Sequence, residues 1–356
     1  MIEENNFSKK NFSEKDITDF IDLSINDDLR SEGMKDQKNV RWKFIENPLG
    51  PANYFFFKNK GKIVGRILSA PYPGKLVLNK KYITYFCLSD LYIDRNNRQI
   101  SNLRNLYFKC INETKGIIFH SSNENSEKFY TKILGLKVYF KLFSCGLPIS
   151  TKPVKGYKFL LSIFYELLIK CNNLFISFIK NLLHLKKLKI KISENLIFDE
   201  EMESLLKENY NKGESFFYRD KGFFKWRYAL YKKKFLIKIY KHNELIGYLT
   251  LIRSDVLDLK NLILLDFQFK KSLSFFDKIK IKLEIINIGK NQNCDTIYTF
   301  GNKKNKMFFN ILGYPFFNLP DKILPHSNPM FVHNIGNLDS NEIEKVNFTI
   351  SDFDYF

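Results

Sequence analysis

The chain has 356 residues, 44% hydrophobic and 27% charged, which excludes a disordered, collagen-like or disulfide-stapled class and points to about two domains. Its formal net charge is +19, yet only nine of the 57 basic residues are Arg, the better reader of phosphate and base edges. The lysines travel with abundant Asn, Ile, Phe and Tyr and with just three Ala (Ala52, Ala70, Ala229), a pattern of A/T-rich codon usage. With no Arg cluster interleaved with aromatics, the charge argues against a nucleic-acid partner and leaves anionic small molecules open.

The first residues, Met1-Ile2-Glu3-Glu4-Asn5-Asn6, are acidic and polar where a secretory signal would be basic and then apolar. Five cysteines (Cys87, Cys110, Cys145, Cys171, Cys294) are odd in number, scattered and never in a C-x-x-C pair. That argues for a reducing compartment and against zinc. A cytoplasmic protein without metal is expected.

The first predicted element with a recognisable signature is a helix bearing Arg41-Trp42-Lys43-Phe44. A strand-turn-strand pattern follows over Tyr54 to Gly65, its Asn59-Lys60-Gly61 centre being a hairpin signal. Next come a long strand through Leu88-Ser89-Asp90-Leu91, a helix over Asn102 to Glu113, a short strand over Gly116 to Phe119, a helix ending at Gly135 and a final strand. The same order recurs. Lys225-Trp226-Arg227-Tyr228 is followed by a strand from Phe235 to Tyr240, a polar turn at Lys241 to Glu244, and Leu245-Ile246-Gly247. Leu264-Leu265-Asp266-Phe267 echoes the long strand, and Ile311-Leu312-Gly313-Tyr314 echoes Ile133-Leu134-Gly135-Leu136. The offsets are 184, 182, 176 and 178 residues. Anchors recurring in one order at nearly constant spacing predict two copies of one mixed α/β domain, each a mixed sheet covered by helices. Between them, Gly156 to Leu188 is apolar except for a stripe at Ser162, Glu166, Lys170, Asn173, Ser177, Asn181 and His184. That is helical periodicity, read as an amphipathic linker. Its longest uncharged run, Cys171 to Ile179, is nine residues, too short for the ~20 residues a bilayer-spanning helix needs. Its basic end leaves peripheral membrane contact through 156–189 open.

The segment Ile93-Asp94-Arg95-Asn96-Asn97-Arg98-Gln99-Ile100-Ser101-Asn102-Leu103-Arg104-Asn105-Leu106 runs from strand through loop into helix, where unpaired N–H groups and the helix dipole make an anion site. Here the chain resembles the GNAT superfamily of acyl-CoA-dependent N-acyltransferases, whose V-x-P-x-x-R-G-x-G-x-G/A-x-x-L segment holds the pyrophosphate of coenzyme A. Ile93, Arg98 and Leu106 match; Gln99 and Ser101 replace glycines, and Leu103 replaces Gly or Ala. Side chains there obstruct close approach of backbone to phosphate, a loss that Arg98 and Arg104 would compensate. A second element, Asn123-Glu124-Asn125-Ser126 followed by Tyr130 and Leu134-Gly135-Leu136, resembles the family's N-x-x-A/S-x-x-x-Y-x-x-x-G-F, with Gly135 one residue late.

The resemblance implies two tandem GNAT-like domains, 1–150 and a degenerate 196–356, each a mixed twisted sheet flanked by helices, joined by the linker over 151–195. It implies acetyl-CoA or another acyl-CoA as co-substrate. Leu91, Tyr92, Ile93, Arg98, Gln99, Ser101, Asn102, Leu103, Arg104 and Asn123 are the candidate cofactor contacts. Tyr130 is the candidate general acid for the departing thiolate. Asp90, a carboxylate in an apolar strand, is the leading base or water-positioner, and His120 the second. In the second copy Lys270 to Phe275 has no glycine, and Phe309, at the position of Tyr130, has no proton to give.

The expected activity is N-acyl, foremost N-acetyl, transfer to a small-molecule amine. An amino sugar of surface polysaccharide is the suggested acceptor, since Phe348 to Asp354 resembles the ending of tandem proteins of that kind. Two alternatives stay open. One is a tRNA-dependent aminoacyltransferase of the peptidoglycan cross-bridge type, which also pairs two such domains. The other is a degenerate binding or scaffold protein.

Overall fold

The computed structural model describes residues 7–25, 35–122, 124–150, 188–256, 259–270, 273–301, 317–318 and 328–334, with 336, 343 and 346. Asn123, the linker up to residue 187, Phe309 and the segment ending at Gly313, and the closing 348–354 lie outside them.

The first half runs β1 (Phe7–Asn11), α1 (Asp16–Ile25), α2 (Gln37–Phe44), β2 (Asn53–Asn59), β3 (Lys62–Leu78), β4 (Lys81–Ile93), α3 (Ile100–Glu113), β5 (Ile117–Ser121), α4 (Glu124–Lys128) and β6 (Phe140–Pro148). The second runs β7 (Leu188–Ser193), α5 (Glu200–Asn211), β8 (Phe216–Tyr218), α6 (Lys221–Arg227), β9 (Lys234–Lys241), β10 (Glu244–Val256), β11 (Leu259–Phe269), α7 (Phe275–Asn291), β12 (Thr296–Gly301), β13 (Phe317–Asn318) and β14 (Asn328–His333). This is a mixed α/β architecture with mixed sheets flanked by helices.

Local chemistry explains the recurring parts. Both predicted hairpins turn on two consecutive residues with positive φ, Lys60 and Gly61 in one half, His242 and Asn243 in the other, as tight two-residue hairpins require. Gly65 and Gly247 sit where β3 and β10 cross the ends of β4 and β11. A Cβ on Gly65 would stand 2.8 Å from Ile93 Cγ1, and one on Gly247 2.2 Å from Phe269 Cδ1. The end of the predicted helical linker over 151–195 departs from the sequence reading: Leu188–Ser193 is a strand. Leu188 begins β7, an edge strand antiparallel to β9, rather than closing a helix. Leu188, Ile190 and Ile192 alternate with Lys189, Lys191 and Ser193, a period of two that outweighs the helical stripe before it.

The halves do not keep their last strands. Strand order is β1-β2-β3-β4-β5-β14-β6-β12-β11-β10-β9-β7. Strand β6, from the first half, pairs antiparallel with β12, and β14, from the second, pairs antiparallel with β5. The two exchanged strands also pair with each other, Leu142 opposite Asn328. The first anchor of the repeat meets its own copy nearby. Trp42 and Trp226 stack with centroids 4.8 Å apart. Each indole N–H donates to the other's backbone carbonyl, at 2.7 Å and 3.0 Å. Two equivalent tryptophans bonded reciprocally mark a local two-fold relation between the halves.

The core follows from this. One apolar cluster joins Tyr72, Leu76, Tyr85 and Phe119 of the first half to Met202, Phe217, Phe223 and Tyr298 of the second. A separate cluster packs the inner face of α3, through Leu106, Tyr107, Cys110 and Ile111, on Phe55, Ile67, Ile118 and Phe331.

Candidate active site

Strands β4 and β5 run parallel and pair from Tyr85–Ile117 to Cys87–Phe119. Beyond that point β4 continues to Ile93 and β5 to Ser121, so their edges part. On β4 the departure coincides with a bulge: Arg66 opposes Tyr92 and Leu68 opposes Ser89, leaving Asp90 and Leu91 facing Ile67. Asp90 adopts φ +57°, a conformation that Asp tolerates better than most side chains. Bulges re-aim backbone groups and end pairing, and this one opens the sheet on the side of Asp90.

The chain leaves β4 through a short turn. Asp94 Oδ1 accepts from the Asn96 amide at 2.9 Å, and α3 then starts. Its N-cap, Gln99, is extended and makes no side-chain cap bond, leaving the amides of Ile100, Ser101 and Asn102 without intrahelical acceptors. Gln99 and Ser101 are exposed and Leu103 half-buried. Arg98 Nε donates to the Ile93 carbonyl at 3.0 Å, and its guanidinium stands 5.5 Å from the Tyr92 ring centre. Arg104 is exposed, 5.8 Å from the Phe108 ring centre. Tyr92 and Ile93 are buried and Leu91 half-buried. Asn102 is buried, its Nδ2 donating to the Asn97 carbonyl at 3.0 Å. Its side chain therefore fastens the loop, and its backbone amide is what remains for a ligand. The α3 N-terminus flanked by Arg98 and Arg104 suits a pyrophosphate, with the side chains at 99 and 101 turned outward.

On the β5 side the structure brings His120 and Tyr130 together, with ring centroids 4.8 Å apart. Residues Phe129–Ile133 form a π-helical turn, in which the Leu134 amide donates to the Phe129 carbonyl at 3.0 Å. A π-turn spends one residue more than an α-turn. This accounts for Gly135, at φ +68°, arriving one position late.

Two residues that the sequence reading passed over complete this cluster. Tyr107 Oη on α3 lies 2.8 Å from His120 Nε2 and 2.7 Å from His333 Nε2, and the two imidazole nitrogens are 3.2 Å apart. His333 belongs to β14, whose Phe331 is the cross-strand neighbour of His120 and stacks on it at 4.9 Å. Asn334 pins the end of that strand to α3, its Nδ2 donating to the Ile111 and Thr114 carbonyls at 3.1 and 3.2 Å. Burial holds the His120 ring well below the ordinary histidine range, with the neighbouring His333 adding to the effect and a hydrogen bond to the Ser121 backbone opposing it. Burial pulls His333 down to about 4. Burial, then Tyr130 and Cys110, push the Tyr107 phenol far above its usual range. The trio is therefore neutral at pH 7. The Tyr107 contact was half-legible: Leu103, Leu106, Tyr107, Cys110 and Ile111 trace an apolar helical face. Nothing local in Phe331-Val332-His333 pairs it with a residue 213 positions earlier.

Asp90 stands on β4 three residues past its last pair with β5, and His120 on β5 one residue past that pair. Among the described residues no group of three or more His, Cys, Asp and Glu could hold a metal ion, and no helix is long and apolar enough to cross a membrane.

No protein-family profile and no curated protein matches the chain. Solved structures do. N-myristoyltransferase from Saccharomyces cerevisiae with bound myristoyl-CoA superposes with a TM-score of 0.54 at 12% identity, over 94% of this chain and 80% of that one. A GCN5-related N-acetyltransferase from Anabaena variabilis gives 0.53 at 12%, over 93% and 73%. A probable N-acyltransferase from Enterococcus faecalis gives 0.50 at 9%, over 92% and 70%. At such identities the likeness is one of fold, and the fold of this chain is the tandem GNAT-type fold of these proteins.

Proposed function

We propose that the chain is an N-acyltransferase that moves an acyl group from acyl-CoA to a primary amine, with the chemistry in the first half. The observation that carries this reading is the opening between β4 and β5. The N-terminus of α3 follows β4 on one side of it, and the Tyr130–His120 pair stands on the β5 side. The Ile100, Ser101 and Asn102 amides with Arg98 and Arg104 bind the pyrophosphate, and the extended edge of β4 at Leu91 to Ile93 lines the path of the pantetheine arm; Asn123 stays a contact of that arm on the sequence resemblance alone. Coenzyme A supplies the thioester. Asp90 draws the acceptor's ammonium into the opening, and His120 takes its proton. The amine lone pair then attacks the thioester carbon, the C–S bond breaks, and Tyr130 protonates the leaving sulfur. The favoured donor is acetyl-CoA and the favoured acceptor an amino sugar of a surface polysaccharide, on the sequence resemblance alone.

Differential scanning of the purified chain with acetyl-, butyryl- and myristoyl-CoA tests this directly. A ligand that binds only the native state raises the melting temperature by mass action. A rise with at least one acyl-CoA, followed by acyl transfer to an amine panel that includes amino sugars, is expected. No shift with any donor would return the chain to a scaffold role. Binding of charged tRNA with steep salt dependence would favour the aminoacyltransferase alternative.

A further inference from the structure

We propose that His333, carried into the first half by the exchanged strand β14, forms with Tyr107 and His120 a proton relay that connects the buried centre to water. The inference rests on the proposed acyl transfer and adds a contribution from the second half to it.

Three observations carry it. The three polar atoms stand within 2.7–3.2 Å of one another, so a proton on any of them is shared with the other two. The burial is graded: Tyr107 is fully buried, His120 is 4% exposed, and His333 is half-buried, the outermost of the three. Finally, the Ser121 backbone bond favours the protonated form of His120, so the ring donates it. Since Nε2 faces Tyr107, that bond assigns the resting hydrogen to Nδ1 and leaves the Nε2 lone pair toward the relay. A buried base that must release a proton every turnover needs such an exit, because an imidazolium trapped at His120 would stay desolvated.

The step balances as follows. An N–H bond of the attacking amine breaks and one forms at His120 Nε2, while the electron pair left on nitrogen becomes the new N–C bond. The proton passes by way of Tyr107 to His333, which releases one proton to water. Tyr130 gives its proton to the CoA sulfur and recovers one from the acylated nitrogen, whose second N–H bond breaks as the amide forms, so the net release from the ammonium is one proton. The titratable groups facing the relay among the described residues are Tyr107 and Cys110 on α3, Tyr130 on the π-turn and His333 on β14. In this scheme His333 and Tyr107 are positioning and relaying residues, and His120 alone of the three touches the reacting atoms.

His333→Gln separates relay from packing, because the amide reaches the same neighbours and has no proton to pass on. We expect the variant to keep its fold, its acyl-CoA-induced thermal shift and the His120 tautomer read by nitrogen NMR. Turnover should fall at least about tenfold, short of the ~100-fold expected for losing a direct acid or base. Added imidazole should restore part of it, and the pH profile of kcat should lose its acid limb. Wild-type turnover in His333→Gln, or a loss that imidazole leaves unchanged, overturns the relay. Should the wild-type chain transfer no acyl group at all, the functional reading fails by itself. The relay is then read from solvent exchange of the Tyr107 hydroxyl proton, which His333→Gln slows if the relay exists and leaves unchanged if it does not.

Discussion

The two halves share a backbone plan and differ in what occupies equivalent places. Asp90 and Asp266 stand at matching points of β4 and β11, three residues past the last parallel pair with β5 and β12. Asp266 is fully buried, 3.2 Å from the equally buried Arg219. Asp90 is half-buried with a left-handed backbone. One residue beyond the same ladder, β5 carries His120 and β12 carries Thr299. The Thr299 hydroxyl donates to the Leu264 carbonyl at 2.9 Å, tying β12 back to β11 where β5 is left free of β4. On the exchanged strands, the place of His333 opposite Ile118 is taken by Leu147 opposite Ile297. Duplication supplied the frame twice, and polar chemistry survives on one side of it. The strand exchange then makes that side depend on both halves.

The comparison breaks first if Tyr130→Phe leaves turnover intact. Loss of the acid should lower kcat by about 100-fold or more with little change in acceptor KM, measured by thiol release from acyl-CoA.

A sharper contrast comes from the two aspartates. Asp266→Asn removes the carboxylate charge beside the buried Arg219 and should cost about 3 kcal/mol in urea unfolding. Asp90→Asn should leave the unfolding midpoint nearly unchanged and lower kcat/KM for the amine about tenfold, within the range of one lost charge interaction. Equal effects on stability would remove the distinction between a structural and a functional carboxylate.

The equivalent glycines give a smaller, like-for-like test. Gly247→Ala brings a methyl against Phe269 and, at 2.9 Å, the Gln268 carbonyl, whereas Gly65→Ala meets chiefly the flexible Ile93 side chain. Overpacking of this kind costs about 1–3 kcal/mol, and the second-half substitution should be the dearer of the two in the same unfolding assay.

Acid should act mainly on the first half. His333 titrates near 6.5 when unfolded and at about 4 when folded, so between those values the unfolded chain binds more protons and stability falls as pH falls. His120 works in the same direction. Melting temperatures taken from pH 7 down to 4.5 should decline, and the double variant His120→Gln, His333→Gln should flatten that decline.

Much of the fold was legible because its determinants are local. The hairpin at Lys60-Gly61 and the recurrence of Trp42 and Trp226 come from residues whose conformational or packing requirement is written at one position. The Leu188 to Ser193 alternation was equally local, although it followed a helical stripe. Tyr130 and His120 were legible as candidates, and their meeting at 4.8 Å came from β5 and the π-turn being neighbours in the chain.

What the amino-acid sequence determined by itself was therefore the repeat and the mixed α/β class. Only the tertiary structure decided which sheet each final strand would join, and with it that His333 lies beside Tyr107 and His120 of the first half. The physical reason is that an open strand edge accepts any chain of fitting register. Two copies of one domain offer two such edges, and the choice is made by the packing around Trp42, Trp226 and the shared core, far from Phe331-Val332-His333 in the chain.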